Sequence, residues 1–437
     1  MTSEVQDTIY APSSAVGGAI VVLRISGPEA GSAERILSKP ITKYPGKLLH
    51  VQAEYAGEHL DDCMAVWIPG PHSYTGEDMV EINCHGGMQT VRSMLQALGA
   101  LGFRPAEGGE FTRRAFLNGK MDLTQAEAVM DLINASAERS RKAALSQLEG
   151  SISRMIGKAE NALLDALSGI DAALDYPDET EEDAYRELPE QIRIVKECLN
   201  QLLEGGERGQ FLRDGLKVCI LGKPNVGKSS ILNALLGKDR AIVTANAGTT
   251  RDTLEEKLNL NGVPIRLIDT AGIRDAQDEA EQIGISRAKA AAELADLLLI
   301  VVDGSRPLTE EDDRLIGLLE GREGFVLLNK SDLGQVAEIQ PAISTSAKTG
   351  EGLDNLRNRI LEKIGPAESD TELITNTRHL HLLKKALLSV LEAEAEEELD
   401  CIATDLRDAL HDMGMITGND VDADIIDRIF ERFCVGK

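Results

Sequence analysis

Membrane-spanning runs, metal-type cysteine pairs and positive charge are what this 437-residue sequence lacks or has little of. No apolar run approaches the length needed to cross a bilayer, and no apolar stretch follows a basic N-terminal segment. A cytosolic (cytoplasmic) protein without a membrane partner is therefore expected. The six cysteines (Cys63, Cys84, Cys198, Cys219, Cys401, Cys434) form no C-x-x-C pair, which argues against a zinc site or a disulfide framework and for most of the thiols being buried in cores, Cys434 apart. Lys and Arg number 46 against 73 Asp and Glu, a formal net charge of −27. So acidic a surface repels polyanions and anionic membranes at long range. Any work on nucleic acid then needs a local basic patch or a partner protein. Part of the acidic excess lies at 178–183 and 392–398, which read as solvated helix ends or linkers. Internal repeats and low-complexity segments are also missing.

What is present is a phosphate-binding run. Residues 222–229 read Gly-Lys-Pro-Asn-Val-Gly-Lys-Ser, between an apolar strand (217–221) and a helical run (230–236). Glycines let backbone N–H groups turn inward around phosphate oxygens, and the next helix adds its positive end. Lys228 would reach the β/γ-phosphates and the Ser229 hydroxyl would ligate Mg²⁺, with Asn225, Val226, Gly227 and Ser230 completing the loop. Asp269-Thr270-Ala271-Gly272 follows a second strand (264–268), placing a carboxylate near the Mg²⁺ shell and a glycine N–H near the γ-phosphate. Asn329-Lys330-Ser331-Asp332 follows a third (325–328). The Asp332 carboxylate can accept from both N1–H and the exocyclic amine of guanine, which selects GTP over ATP. Ser346-Ala347-Lys348 completes the set, its backbone donating to the guanine carbonyl while Lys348 closes over the site. Each motif alone is weak, but four in order after strands specify a guanine-nucleotide domain.

Hydrolysis needs an oriented water and neutralised charge. A glutamine directly after Asp-x-x-Gly commonly orients that water; here the position is Ile273. Asn225, with backbone carbonyls of the loop 244–252, can instead bind a monovalent cation. Thr250 is the expected second Mg²⁺ ligand. Glu281 can orient water through a bridging water, or it is simply part of a solvated acidic loop with Asp278 and Glu279.

The length allows two to four domains. Residues 1–118 carry β-type runs (19–25, 62–68, 79–84) and one helical stretch (88–101), a small α+β domain. In 119–213 apolar residues recur at helical spacing, with Leu145, Leu148, Ile152, Met155 and Ile156 on one face. Residues 214–367 alternate strand and helix. Helical spacing returns in 368–437, through Leu380, Leu383, Ala386, Leu387 and Val390. Neither helical zone makes a complete core alone. The fold class expected is multidomain α+β and α/β: a small N-terminal α+β domain, then a helical domain interrupted by an inserted Ras-like P-loop GTPase domain.

Beyond the nucleotide motifs stand Leu23-Arg24-Ile25-Ser26-Gly27-Pro28, Ser73-Tyr74-Thr75-Gly76-Glu77-Asp78, Cys84-His85-Gly86-Gly87, Gly108-Gly109-Glu110-Phe111-Thr112 and Asn118-Gly119-Lys120-Met121-Asp122-Leu123. The far end carries Arg428-Ile429-Phe430 and Phe433-Cys434-Val435-Gly436-Lys437. With them, nearly the whole chain resembles the MnmE (TrmE) family of tRNA wobble-uridine modification GTPases. The resemblance implies an N-terminal domain that dimerises and binds 5-formyltetrahydrofolate or a related folate, and K⁺-dependent pairing of G domains. It implies K⁺ among Asn225, Thr244, Asn246 and Thr249, Mg²⁺ on Ser229 and Thr250, and Glu281 at the catalytic glutamate. Arg24, Glu81, Lys120 and Lys437 match the folate contacts. Cys434 is either a thiolate nucleophile in one-carbon or uridine chemistry or a small apolar residue packing the tail into the helical domain.

The function these features imply is GTP hydrolysis coupled to building a carboxymethylaminomethyl-type (or aminomethyl) group at C5 of the wobble uridine. The partners implied are a second copy (homodimer), tRNA, and the FAD-binding MnmG in a heterotetramer, the last supplying redox chemistry and basic surface. The alternative is a ribosome-assembly GTPase switch that binds RNA, but no basic appendage is visible. A metabolic P-loop kinase is disfavoured by Asp332.

Overall fold

The alternating run around Arg24 calls for a strand with one buried face and one face left for chemistry. The computed structural model describes residues 7–236, 256–268, 289–366, 373–431 and 433–437. They group into two units, Met1–Met130 with Met413–Lys437, and Asp131–Asp412.

In the first unit six strands form one sheet: β1 (Ile9–Pro12), β2 (Ile20–Ser26), β3 (Leu49–Tyr55), β4 (Glu58–Ile68), β5 (Met79–His85) and β6 (Arg104–Pro105), in the order β3-β4-β5-β2-β1-β6. All neighbours are antiparallel except β1 and β6. Val21, Leu23 and Ile25 of β2 and Val80, Ile82 and Cys84 of β5 pack with Val91, Met94, Ala97 and Leu98 of the helix Met88–Ala100. Period-two alternation turns Arg24 and Glu81 to the opposite face as register partners. Cys63 and Cys84 lie in the core, where burial pushes their thiols up to about 12 and about 11. Strands β1, β3 and β6 add to the three runs legible from composition. β1 is four residues ending in proline, and β3 carries exposed polar residues at alternate positions.

The segment 413–437 belongs to this unit. Phe430 of the helix Ala423–Phe430 and Phe433 beyond it pack with Leu123 and Ala126. Val435 bridges Gly108, and Gly109 N–H donates to the Cys434 carbonyl at 3.2 Å. Glycine is required at this seat. Gly109 has φ +70°, and a Cβ there would stand 2.8 Å from the Phe430 carbonyl oxygen.

The second unit carries the nucleotide-type sheet: β7 (Leu216–Leu221), β8 (Glu256–Leu260), β9 (Val263–Ile268), β10 (Leu297–Asp303), β11 (Gly324–Asn329) and β12 (Ile343–Ser344), ordered β12-β11-β10-β7-β9-β8. Only β8 runs antiparallel to its neighbour. β7 beyond Lys217 and β10 up to Asp303 read as continuous apolar runs because both sheet faces are covered. Two long helices, Ser151–Asp175 and Pro177–Leu203, precede the sheet and pack along each other. The acidic run 178–183 is the start of the second, where Pro177 fits the first turn and Asp178 and Glu179 favour the positive helix end. The helix Thr377–Ala395, beyond the sheet in sequence, packs back on Pro177–Leu203, with Lys196 Nζ 2.5 Å from Glu394 Oε2. Helices from before and after the sheet thus share a core, as an inserted domain requires. Among the described residues no helix is long and apolar enough to cross a membrane.

Candidate functional site

The carboxyl ends of β7, β10 and β11 lie side by side, the place where an open parallel sheet binds its ligand. β7 runs into the loop 222–227 and the helix Lys228–Leu236. The two motif glycines are sterically obligatory. A Cβ at Gly222 would stand 2.3 Å from the Val301 carbonyl oxygen, and one at Gly227 would stand 2.2 Å from Asn329 Nδ2. Asn225, at φ +62°, is in the left-handed region that asparagine tolerates, and it is exposed at the loop's turn. Lys228 Nζ donates to the carbonyls of Gly222 (2.7 Å) and Lys223 (2.9 Å), and burial lowers its pKa. A lysine so placed, at the mouth of an N–H-lined turn, can serve phosphate oxygens. Ser229 and Ser230 lie exposed in the first turn of the following helix.

The base-binding motifs are tied to this loop by one residue. Asn329, 2% exposed, donates from Nδ2 to the Val226 carbonyl at 2.8 Å and accepts at Oδ1 from Ala347 N–H at 3.1 Å. Asp332 Oδ1 accepts from the Ser346 hydroxyl at 2.8 Å, and Lys348 Nζ stands 4.0 Å from Oδ2. The Asp332 side chain is only 17% exposed while that of Lys348 is 82% exposed, the geometry of a fixed acceptor under a movable cover. Ser346 N–H donates to Glu351 O, so both it and the Ala347 N–H have protein acceptors. Thus Val226, Gly227, Lys228, Asn329, Asp332, Ser346 and Ala347 come together, but the backbone donation to a guanine carbonyl expected of Ser346 and Ala347 meets N–H groups already taken by Glu351 O and Asn329 Oδ1.

Two carboxylates that motif reading missed brace the same site. Asp303, at the end of β10, accepts from Lys330 Nζ at 2.7 Å and from the Ser305 hydroxyl at 2.6 Å. Burial opposes its ionisation, but Lys330 and Ser305 together hold its carboxyl below the ordinary value. Asp312, in the helix Glu310–Ile316, accepts from Lys223 Nζ at 2.6 Å. The available signal for Asp303 was a carboxylate directly after the apolar run 297–302, the same position relative to its strand that Asp269 occupies.

Thr244, Asn246, Thr249, Thr250, Asp269, Thr270, Ala271, Gly272, Ile273 and Glu281 lie outside the described residues.

In the N-terminal unit Arg24 and Glu81 do meet. Arg24 donates to Glu81 Oε1 from Nε (3.0 Å) and Nη2 (2.8 Å), with its guanidinium 4.9 Å from the Tyr74 ring centre and 5.7 Å from that of Phe111. Lys120 Nζ donates instead to the Pro71 carbonyl at 2.8 Å, its stem lying along Gly76. Lys437 follows Gly436, which packs on the Pro12 backbone; neither lysine is hydrogen-bonded to the Arg24–Glu81 pair among the described residues. Behind them Arg114 ties Glu77, Asp7 and Glu110 together, so the motif residues around 73–78 and 108–114 form one polar network. Cys434 is exposed, which removes the reading in which it is a packed core residue.

A family model for the MnmE helical domain matches residues 123–434, and one described as the GTP-binding protein TrmE N-terminus matches 8–120. The tRNA modification GTPase MnmE of Natranaerobius thermophilus is 41% identical over 99% of this chain and 100% of its own. That of Alkaliphilus oremlandii is 42% identical over 99% and 100%. The solved G domain of the T. maritima FeoB iron transporter is 27% identical over 34% of this chain and 97% of its own, with a TM-score of 0.25. By its helical and N-terminal domains and by end-to-end identity with these relatives, the chain belongs to the MnmE family of tRNA modification GTPases.

Proposed function

We propose that the chain hydrolyses GTP and couples that hydrolysis to modification of the wobble uridine of tRNA. The observation that carries the nucleotide half is Asn329. One side chain joins the phosphate loop at Val226 to the base loop at Ala347, with the Asp332 carboxylate presented beside it. Guanine selection follows from Asp332, phosphate binding from the N–H groups of the loop and Lys228. The loop fits a Mg²⁺-nucleotide: its glycines let the backbone turn tightly against Val301 and Asn329, Lys228 stands at its mouth, and Ser229 lies exposed in the first turn of the helix that follows. Ser229 and Thr250 are the residues to hold Mg²⁺, and Asn225, exposed in its left-handed turn, joins Thr244, Asn246 and Thr249 for K⁺. These ions supply positive charge against the phosphates during transfer to water. Glu281 is the residue proposed to orient that water.

The tRNA half rests on family membership, together with a homodimer, a folate one-carbon donor on Arg24, Glu81, Lys120 and Lys437, and the FAD-binding MnmG as partner. Arg24 and Glu81, packed against Tyr74 and the buried Phe111, offer a cation, an acceptor and the partly buried Tyr74 ring to such a ligand.

The test is the nucleoside composition of tRNA from cells lacking the chain, read by mass spectrometry. Loss of the C5-modified wobble uridine is expected; unchanged nucleosides with accumulated ribosomal precursors would support a ribosome-assembly switch instead. Turnover in KCl should exceed that in NaCl at equal ionic strength, and equal rates would remove the potassium reading.

A further inference from the structure

Lys223 occupies a phosphate-loop position that the motif leaves open, yet its side chain is held on a carboxylate whose residue is only 3% exposed. Its Nζ donates to Asp312 Oδ2 at 2.6 Å and to Thr309 Oγ1 at 2.7 Å. The same Oδ2 accepts from Thr309 N–H (3.0 Å) and from the Thr309 hydroxyl (2.9 Å). Oδ1 is buried without a hydrogen-bond partner among the described residues.

Helix capping does not account for this arrangement. The Thr309–Asp312 pair caps a helix of seven residues, a task an exposed carboxylate performs equally well. Stability does not account for it either, since a buried ion pair with one oxygen unsatisfied is a poor net stabiliser. What the pair holds in place is Lys223, and the Lys223 carbonyl is one of the two that orient Lys228. The other, Gly222 O, belongs to a residue fitted closely against the Val301 carbonyl. Lys228 is therefore aimed by two carbonyls, each anchored to a different element: one through backbone contact with β10, one through a side chain reaching the helix Glu310–Ile316.

We propose that Asp312 is a positioning residue for the phosphate loop, holding Lys223 so that its carbonyl aims Lys228 at the β/γ-phosphates. The inference rests on reading this loop as the GTP site. Asp312 touches no nucleotide atom in this account; it acts through Lys223. The base loop has a further brace of its own in Asp303 and Lys330, which does not involve Lys223.

The experiment uses the full-length chain and measures Mg²⁺-dependent GDP affinity, preference for GDP over IDP, and the thermal unfolding midpoint. Lys223→Met should raise the GDP dissociation constant about tenfold, the scale for loss of a charge-assisted hydrogen bond. Lys223→Arg, which keeps the charge, should stay within about twofold of wild type. Asp312→Asn should weaken binding like Lys223→Met, and the double variant should be no weaker than the worse single one. The preference for GDP over IDP should be unchanged throughout, because Lys330 and Asp303 hold the base loop, and the loss of affinity should persist at temperatures well below the unfolding midpoint, where a merely destabilised domain would still be folded and would bind like wild type. Should Asp312→Asn fail to fold, Lys223→Met, altered at the partly exposed end of the pair, decides the matter. Lys223→Met with a GDP affinity within about twofold of wild type and only a lowered midpoint would overturn the positioning role. Wild-type protein that binds no GDP would overturn the GTP-site reading as well, so the two failures are distinguishable.

Discussion

Around the phosphate loop, backbone does most of the holding; on the Arg24 face of the N-terminal sheet, side chains do. Lys228 is oriented by two carbonyls, and Asn329 works by gripping a carbonyl on one side and an N–H on the other. Arg24 and Glu81 are held by each other and by two aromatic rings. Backbone-built sites leave a short, regular signature, because glycines and spacing are fixed by steric need within a few residues. Side-chain-built sites draw on distant strands and leave residues whose purpose is clear only once the sheet is assembled. The contrast also separates tolerances. A methyl group is enough to break the first kind, whereas the second responds to changes of charge.

The largest effect expected is at the base. Asp332→Asn replaces one acceptor oxygen with an amide that faces the guanine amine, so GTP affinity should fall roughly 10²- to 10³-fold and xanthosine nucleotides should gain. Competitive titration of the two nucleotides checks this, and unchanged GTP affinity would remove Asp332 from the site.

The order of the motifs along the chain was legible, as were the alternating strand–helix order and the placement of the sheet between two helical zones. Asn329 was legible as a motif member but not as a tie, because its partners Val226 and Ala347 are remote in sequence. Asp312 was invisible for the same reason: 89 positions separate it from Lys223. Gly108 and Gly109 stood out as a pair, yet nothing local shows that they receive Val435 and Cys434. The first unit was misleading in another way: β1 and β6 are too short to stand out, and β3 is half polar, so it shows as alternation and not as an apolar run. The acidic run 178–183, read as a helix end or a linker, is a helix start, and its Asp178 and Glu179 lie in the first turn, where negative charge is favourable.

A middle-sized effect sharpens the contrast from the other unit. Gly109→Ala puts a methyl 2.8 Å from the Phe430 carbonyl oxygen, on a backbone at φ +70°. It should cost about 1–3 kcal/mol and loosen the 433–437 segment while GDP affinity stays unchanged. Limited proteolysis beside a nucleotide titration reads both quantities, and a parallel loss of GDP binding would contradict the separation of the two sites.

The smallest effect is one of pH. Burial opposes ionisation of Glu110, but Arg104, the Glu107 N–H and Arg114 together hold its carboxyl below the ordinary value of 4.5. The folded chain therefore takes up this proton less readily than the unfolded chain. Its contribution to stability is full above the ordinary value and is lost as pH falls through the lower folded one. Glu110→Gln should lower stability near neutrality and flatten the acid limb of the unfolding midpoint against pH. An acid limb as steep as that of wild type would show that Glu110 is not its source.

The seat at Gly108 and Gly109 has a consequence in time as well as in space. A ribosome makes these glycines early, whereas Phe433 and Val435 emerge only after the entire nucleotide sheet and both helical zones have been synthesised. Domains of growing chains generally fold as they appear, but this unit must hold a place open until the remainder of the chain has been delivered. Its completion therefore reports that translation has passed through everything in between. A chain interrupted between the first sheet and Phe430 would leave the apolar surface around Leu123 and Ala126 without Phe430 and Phe433 to cover it.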